Sequence, residues 1–295
     1  RVLNRKSKTK IEDAEAPDAN EEYLLYQTLL GTWPVAPHGR AVAEASEEYI
    51  ARIQAYMTKA LKEAKINTSW IQSNEQWDAA TRDFVARLLE PGGKNRFVPA
   101  LLPLVEEVAR LGAINSLSQV VLKLTAPGVP DIYQGNEIWD YSLVDPDNRR
   151  PVDYAKRREM LQSLSKAAPE ELLANWADGR IKLFVTQRLL RFRRENPELF
   201  LRGSYTPLRV SGAHAESCLA FAREHTGLRI VVIVPRLSAR LGFPPVAQAW
   251  QDTRVAFSGN VGHDLFSQRE LHGTGDWISV ADALAQVPFG VFATT

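Results

Sequence analysis

The chain has little cysteine, lacks a long apolar run and carries almost no excess of either charge. Its single cysteine, Cys218, excludes an intramolecular disulfide and favours a reducing compartment. No apolar run reaches the roughly 18 residues that a membrane-spanning helix needs. Lysine and arginine number 36 against 35 for aspartate and glutamate, and this balance disfavours a nucleic-acid binder, which normally has a clear basic excess.

Several common catalytic and metal-binding motifs are also missing. The sequence has no G-x-x-x-x-G-K-[ST] phosphate loop, no H-E-x-x-H zinc motif and no G-x-S-x-G nucleophile elbow. The five histidines lack the close spacing of metal ligands. Cys218 lies in a strand-like run, where a buried structural thiol is expected rather than a nucleophile. We therefore expect no metal site and no cofactor.

The first residues give expectations about location and completeness. Residues 1–10 are basic and lack the apolar core and cleavage site of a secretory signal. The chain begins with Arg1 rather than Met. We expect a cytoplasmic location, no membrane or nucleic-acid partner, and a chain that is part of a longer protein.

Hydrophobic periodicity predicts a helix-rich first part. Apolar residues at helical spacing follow Ser46, a good N-cap, over about 46–66, and a second helix follows the cap residue Asn74. A long apolar-periodic stretch runs over 97–124 and is predicted to be split near Gly112. Further helices are predicted at the ranges 153–166 and 181–195, and residues 12–20 are predicted to be an exposed loop.

The pattern changes after residue 203. Short β-branched or alternating runs appear there, separated by turn residues at short intervals, as in a β-sandwich. The fold class that follows is α+β, with a mainly helical region over 1–200 and an antiparallel β-sandwich over 201–295.

A dense polar cluster follows residues 129–134, whose pattern is that of a short strand and which we expect to be loop-like where the rest of a barrel is absent. Carboxylates and amides chelate the hydroxyls of a sugar, and aromatic rings stack on its apolar face. A surface loop tied by Arg–Asp bridges is an equally good interpretation of the composition. The cluster lies between residues 127 and 154 and contains Asp131, Glu137, Asp140, Asp145, Asp147 and Asp153 with Arg149, Arg150, Tyr133, Tyr141 and Trp139.

Longer strings in this region carry a family resemblance. PGVPDIYQGNE at 127–137 resembles the eighth barrel strand of the alpha-amylase superfamily. With LVDPDNRRPVDY, EEYLLYQTLLGTWP and ALKEAKINTSW, it resembles the malto-oligosyltrehalose synthase family of that superfamily over about residues 20–160. The resemblance implies a helical insertion followed by the last strand and helix of an incomplete (β/α)8 barrel. It also implies an isomerase reaction of trehalose biosynthesis, in which the reducing-end α-1,4 linkage of a maltodextrin becomes an α,α-1,1 linkage by intramolecular transglucosylation.

The chain departs from the family pattern in one respect. The G-F-R-x-D and H-D-T-K-R-like strings around the family's catalytic Asp and Glu residues occur nowhere in it. The resemblance therefore implies no catalytic residue here, a chain that is inactive alone, and the N-terminal catalytic portion of the same enzyme as its partner.

The resemblance also implies substrate-binding residues for a malto-oligosaccharide. Alternatives remain open: Trp70 packs between helices, Tyr133 belongs to a core, Glu137 anchors its loop, or Arg149 holds Asp145 or Asp153. A self-standing carbohydrate-binding module or a helical interaction module are the alternative functions. The candidate substrate-binding residues are Trp70, Tyr133, Gln134, Glu137, Asp145, Asp147, Asn148 and Arg149.

Overall fold

A computed structural model of the chain describes residues 2–92 and 95–294. Helices and antiparallel sheets are combined in it, and the residues form two compact units. The first unit comprises Arg1–Ala109 and Tyr141–Pro151, and the second comprises Arg110–Asp140 and Val152–Thr295. Among the described residues, no helix has both the length and the apolar character needed to cross a membrane.

The helices lie where the hydrophobic periodicity predicts most of them. Ser46 Oγ accepts a hydrogen bond from Tyr49 N at 3.2 Å, and Asn74 Oδ1 accepts one from Trp77 N at 3.1 Å, so both predicted N-caps are confirmed. The helices are α1 (Ala19–Thr32), α2 (Glu47–Ala64), α3 (Glu75–Leu89), α4 (Phe97–Thr125), α5 (Tyr154–Ser163), α6 (Pro169–Ala174), α7 (Arg180–Glu195), α8 (Pro197–Arg202) and α9 (Val280–Ala283).

The first unit is built on the apolar faces of α1, α2 and α3. On α2 the buried side chains recur every four residues, which places them on one face of the helix. They pack with α1, α3 and the first turns of α4 in one cluster that includes Leu25, Leu29, Trp33, Tyr49, Ile53, Met57, Leu61, Trp77, Phe84, Val85, Val98 and Leu101.

The expectation of a loop at residues 12–20 is wrong for most of that range. A two-stranded antiparallel hairpin of β1 (Thr9–Ile11) and β2 (Ala14–Ala16) runs through it, and α1 begins at Ala19. Ala16 is fully buried in the core of the first unit, and a buried ion pair joins Lys8 Nζ to Glu22 Oε2 at 2.8 Å. Burial and a charge partner on α1 thus outweigh the polar composition that favoured a loop.

The predicted break at Gly112 is also wrong, because α4 is continuous over Phe97–Thr125. A glycine inside a helix costs only about 1 kcal/mol relative to alanine. Burial of Ile114, Leu117, Val121 and Leu124 in the following turns favours the helix by several times that amount.

Replacing Gly112 by alanine should stabilise the chain. A Cβ atom there would meet no atom within 4 Å, and the helical backbone suits alanine, so we expect Gly112→Ala to raise the free energy of unfolding by about 1 kcal/mol. Gly179→Ala is the matched contrast and should lower the free energy of unfolding. Gly179 has φ +82°, which disfavours alanine, and an added Cβ would lie 3.0 Å from Ile138 Cβ. Urea unfolding checks both, and a destabilising Gly112→Ala would contradict the explanation of the continuous helix.

The second unit contains two antiparallel sheets. One has six strands in the order β3-β5-β6-β11-β8-β9, and the other has three in the order β10-β7-β4. The strands are β3 (Thr206–Pro207), β4 (Val210–Ser211), β5 (Cys218–His225), β6 (Leu228–Pro235), β7 (Arg254–Ala256), β8 (Gly262–Asp264), β9 (Glu270–Leu271), β10 (Trp277–Ser279) and β11 (Gly290–Ala293).

The six-stranded sheet is buried on both faces at its centre. Val231 and Ile233 of β6 join the cluster that contains Val255 and Ile278 of the three-stranded sheet. Residues 230 and 232 point to the opposite face and are also fully buried. The face that the second sheet does not cover is therefore also shielded from solvent.

Cys218 of β5 belongs to the same buried cluster, as predicted for a structural thiol. Burial raises the pKa of its thiol to about 12. The thiolate that nucleophilic chemistry requires is therefore not formed at neutral pH.

Arg223 of β5 joins the helices of the second unit to the sheet. Only 2% of it is exposed. Its guanidinium donates to Thr125 O, the last carbonyl of α4, at 3.3 Å and to Phe200 O, in the last turn of α8, at 3.2 Å. Gly203 O and Ser204 O accept two further bonds at 3.0 and 3.2 Å. Carbonyls at a helix C-terminus have no partner inside the helix, so this arginine satisfies groups that would otherwise be buried without one.

Arg223→Met should therefore destabilise the chain strongly. Removal of the guanidinium leaves buried carbonyls without donors, and we expect a loss of roughly 3 kcal/mol in the free energy of unfolding. Arg202→Met is the control, because its side chain is mostly exposed and pairs with Glu198, which is worth less than about 1 kcal/mol. Equal unfolding midpoints for the two variants would contradict the capping role.

Residues 129–134 are loop-like, the alternative expected where the rest of a barrel is absent. Residues 129–133 have no helix or strand assignment, and Gln134 begins a turn. A barrel strand is held by strands on both sides, and its backbone groups need other donors when those are absent. Here side chains from the helices of the second unit supply them, as described below.

Candidate functional site

The candidate residues Asp145, Asp147, Asn148 and Arg149 lie in one loop of the first unit. The loop spans residues 141–151 and contains a short 3₁₀ turn at Asp147–Arg149. Leu143 attaches it to the apolar core of this unit. Two basic side chains of α2, at positions 52 and 59, bind it from the helix side.

Asp147 is the carboxylate that organises this loop. Its oxygens accept from Arg52 Nε at 2.9 Å, from Arg52 Nη2 at 2.8 Å and from Leu143 N at 2.7 Å. Hydrogen bonding to the Arg52 guanidinium lowers the pKa of Asp147 below its ordinary value, although burial opposes the shift. Asp147 is therefore ionised at neutral pH, and its two oxygens are engaged by Arg52 of α2 and by the Leu143 amide of the loop.

Asp145 and Arg149 form an ion pair within the loop. The carbonyl of Asp145 also accepts a hydrogen bond from Lys59 Nζ. The alternative that Arg149 holds Asp145 thus describes the geometry, although most of the Arg149 side chain remains exposed. Asn148 is partly buried, and its Oδ1 has no hydrogen-bond partner among the described residues.

Trp70 lies in the connection between α2 and α3 and is 62% exposed. The ammonium of Lys62 lies 5.1 Å from its ring centroid. The connection is ordered, because Ser69 N donates to Gln72 O at 3.0 Å and Asn67 donates to Asp18 and Glu21 of the helix-capping region at 3.0 Å each. Such exposure does not suit a residue that packs between helices, and it leaves part of the ring surface open to solvent.

Tyr133, Gln134 and Glu137 lie in a loop of the second unit, residues 131–140. Tyr133 is 47% exposed and Gln134 is exposed, so Tyr133 is not a core residue. Glu137 is partly buried and pairs with Arg157 Nε at 3.1 Å. The alternative that Glu137 anchors its loop thus describes the observed contact.

The pKa shifts of two aspartates bear on whether they could act as a general acid. A general acid needs a raised pKa, and that of Asp147 is shifted the other way. Burial raises the pKa of Asp264, but this carboxylate is 5% exposed and accepts from Ser267 and Val291 at a strand end. It is a structural acceptor. Among the described residues, no three His, Cys, Asp or Glu side chains are grouped so that they could hold a metal ion.

The basic residues that hold the two loops lie far along the chain from the groups they bind. Arg52 lies 95 positions from Asp147 along the chain, and Arg157 lies 20 from Glu137. Positions 52 and 59 are seven residues apart on a predicted helix and share one face, which was the available signal. Nothing in the pattern specifies the partner of either residue.

Comparison with known proteins identifies relatives for most of the chain. No protein-family model matches it. Proteins from two strains of Mycobacterium tuberculosis, named maltooligosyl trehalose synthase, are each 35% identical over 258 residues, or 85% of this chain. The chain is homologous to maltooligosyl trehalose synthases. It matches their C-terminal region and spans about 30% of the length of these relatives.

Solved synthase structures resemble the chain as well. The maltooligosyltrehalose synthase from Arthrobacter ramosus is 33% identical with a TM-score of 0.70, over 92% of this chain and 32% of that protein. A hypothetical maltooligosyl trehalose synthase from Sulfolobus tokodaii is 29% identical with a TM-score of 0.69, over 94% of this chain and 32% of that protein. The mixed architecture of helices and antiparallel sheets is similar to that of the solved synthases.

In this synthase homologue, Asp147→Asn should cost stability in a pH-dependent way. Because the pKa of the folded Asp147 is lowered, its contribution is complete above the ordinary aspartate value of about 3.9 and is lost as the pH falls through the folded-state pKa. We expect the variant to be less stable by roughly 1–3 kcal/mol at pH 7, with the difference shrinking below about pH 4.

Urea unfolding at pH 7 and at pH 3 measures this difference. Asp83→Asn, an exposed aspartate on α3, is the control and should change stability by less than about 0.5 kcal/mol. A difference for Asp147→Asn that stays constant between the two pH values would contradict the role given to its charge.

Proposed function

We propose that this chain is the non-catalytic C-terminal part of a malto-oligosyltrehalose synthase and contributes walls of its sugar-binding site. The observation that carries the proposal is the 35% identity over 85% of the chain with relatives of which it spans only 30%. The intact enzyme would convert the reducing-end α-1,4 linkage of a maltodextrin into an α,α-1,1 linkage. The N-terminal portion of the same enzyme would be the partner that supplies the catalytic carboxylates.

The reaction implied by this family gives the C-terminal part a specific task. The reducing-end α-1,4 bond is cleaved through a covalent glycosyl-enzyme, and the released glucose turns and is captured through its own anomeric hydroxyl. Water must be kept out while the glucose turns, because water would otherwise hydrolyse the intermediate. Residues that contact the released glucose without taking part in bond cleavage would perform this task.

Exposed side chains on both loops and on the α2–α3 connection are suited to such contacts. Trp70 and Tyr133 offer aromatic surface, and Gln134 and Arg149 offer hydrogen-bond donors. Asp145, Asp147 and Glu137 would not contact the sugar directly, since their charges hold the loops, whereas Asn148 Oδ1 has no partner among the described residues and would accept from a sugar hydroxyl. This division supports the substrate-binding assignment while giving the carboxylates a positioning task.

Finer features of the fold belong to the same proposal. The segment at 129–134 would be the last strand of a (β/α)8 barrel that the N-terminal portion completes, and the two sheets would form a β-sandwich. We keep the boundary near residue 200 as a prediction, together with the cytoplasmic location. The bonds from Arg223 to Thr125 and Phe200 favour a β region that folds on its helical neighbours.

A self-standing carbohydrate-binding module has less support. It would need a row of exposed aromatic side chains on the β region. Trp250 is fully buried and donates its indole N–H to Pro245 O at 2.8 Å. Trp277 is partly exposed, but the guanidinium carbons of Arg254 and Arg209 lie 4.3 and 5.4 Å from its ring centroid. The helical interaction module is favoured by no contact of the described residues.

Incubation with maltopentaose tests the proposal. The chain alone should cause no loss of reducing ends. A chimera in which it replaces the matching region of the Arthrobacter ramosus synthase should consume reducing ends and give a trehalose-capped product. Loss of reducing ends with the chain alone would contradict the assignment of catalysis to the N-terminal portion.

Two tryptophan variants of the chimera test the sugar contact. Trp70→Ala should lower kcat/KM by about tenfold, because a stacking contact is lost. Trp277→Ala, which removes a tryptophan packed between arginines of the β region, is the matched control and should change kcat/KM little. Equal effects of the two substitutions would argue against Trp70 as a sugar platform.

A further inference from the structure

Three basic side chains hold the backbone of the 131–140 loop, and each comes from a different helix. Lys123 Nζ of α4 donates to Asp131 O at 3.1 Å. Arg157 Nη2 of α5 donates to Gly135 O at 2.9 Å. Lys182 Nζ of α7 donates to Ile138 O at 3.2 Å. The bound carbonyls are three or four residues apart, so the cations fix the loop along most of its length.

The exposed candidates Tyr133 and Gln134 lie between the first two of these carbonyls. Neither residue is part of a strand. Asn136 N donates a backbone hydrogen bond of the turn to Tyr133 O at 3.1 Å. Side-chain donors thus bind the carbonyls of this loop, as the backbone amides of neighbouring strands do in a sheet. A contact surface fixed before the ligand arrives loses less entropy on binding.

Lys182 is the most informative of the three. It is 7% exposed, and its ammonium also lies 5.7 Å from the Trp139 ring centroid. Burial lowers its pKa to about 8, and Lys123 adds to the shift, whereas Asp140 and Glu137 oppose it. It is therefore still mainly protonated at neutral pH. Burying this charge costs free energy, which the bond to Ile138 O and the nearby Asp140 and Glu137 offset in part.

Further contacts of Arg157 and Gly179 also restrict the loop. Arg157 also pairs with Glu137 at 3.1 Å and donates to Asp153 O at 3.1 Å, so one guanidinium joins the loop to the start of α5. Gly179, just before α7, allows close approach, since a Cβ there would lie 3.3 Å from Trp139 N. The loop is thus held by α4, α5 and α7 at separate points.

We propose that Lys123, Arg157 and Lys182 are positioning residues that hold the 131–140 loop in one conformation, so that Tyr133 and Gln134 form a preformed contact for a glucan. The role of the contact rests on the function proposed above, whereas the holding of the backbone does not. None of the three cations needs to touch the sugar. Their effect on the sugar acts through the loop conformation.

The test uses the full chain and two readouts, the hydrogen exchange of the Asn136 amide and the dissociation constant for maltopentaose. Lys182→Met and Lys123→Met each remove one donor, and Lys123 is exposed, so its replacement does not endanger folding. We expect both variants to raise Asn136 exchange and weaken maltopentaose binding, each by about tenfold, at little change in the urea midpoint. Lys123→Arg, which keeps a donor, should restore both readouts.

Lys156→Met is the matched control, since Lys156 is exposed on α5 and has no part in holding the loop. Unchanged Asn136 exchange in both methionine variants would overturn the proposal, whatever the binding result. The proposal would also be overturned if maltopentaose binding weakened only in proportion to a lower urea midpoint and Lys123→Arg did not recover it. If exchange responds as expected but the unsubstituted chain does not bind maltopentaose, the positioning role stands and the proposed glucan contact fails.

Discussion

Buried backbone carbonyls at the end of a helix or in a loop need hydrogen-bond donors from elsewhere. In the second unit, basic side chains supply these donors. Arg223 donates to the last carbonyl of α4 and to the last turn of α8, and Arg193 donates to Leu124 O at 2.9 Å. The sheet and the helices are therefore joined by polar bonds as well as by apolar packing. The 131–140 loop uses the same chemistry, with cations of three helices bound to its carbonyls.

The same constraint accounts for the roles of two carboxylates in the polar cluster. Asp147 and Glu137 each pair with an arginine, and the pairs fix loop conformation. The groups left towards solvent are aromatic rings, which can stack on a ligand, and an amide and a guanidinium, which can form hydrogen bonds with it. Such a division fits a region that shapes a binding site while another region performs the chemistry, as we propose for this chain.

Local sequence signals made the helices predictable. The hairpin before α1 and the partners of the loop carboxylates depend on long-range contacts and were not predictable. Ser46 and Asn74 are N-caps followed by strong apolar periodicity, so two helices of the first unit could be located from the sequence. The hairpin before α1 depends on burial of Ala16 and on a pair with Glu22, neither of which local composition reveals. For the site, residue types indicated the two loops, but the partner of Asp147 on α2 follows only from the tertiary fold.

The buried thiol of Cys218 has a practical consequence. It is the only cysteine in the sequence, and its high pKa and burial make it slow to react with maleimides or other thiol reagents under native conditions. A cysteine introduced on the surface would therefore carry nearly all of an attached fluorophore or spin label, without removal of the native thiol. Pairs of such labels could report distances between chosen sites in solution, with the packing around β5 left intact.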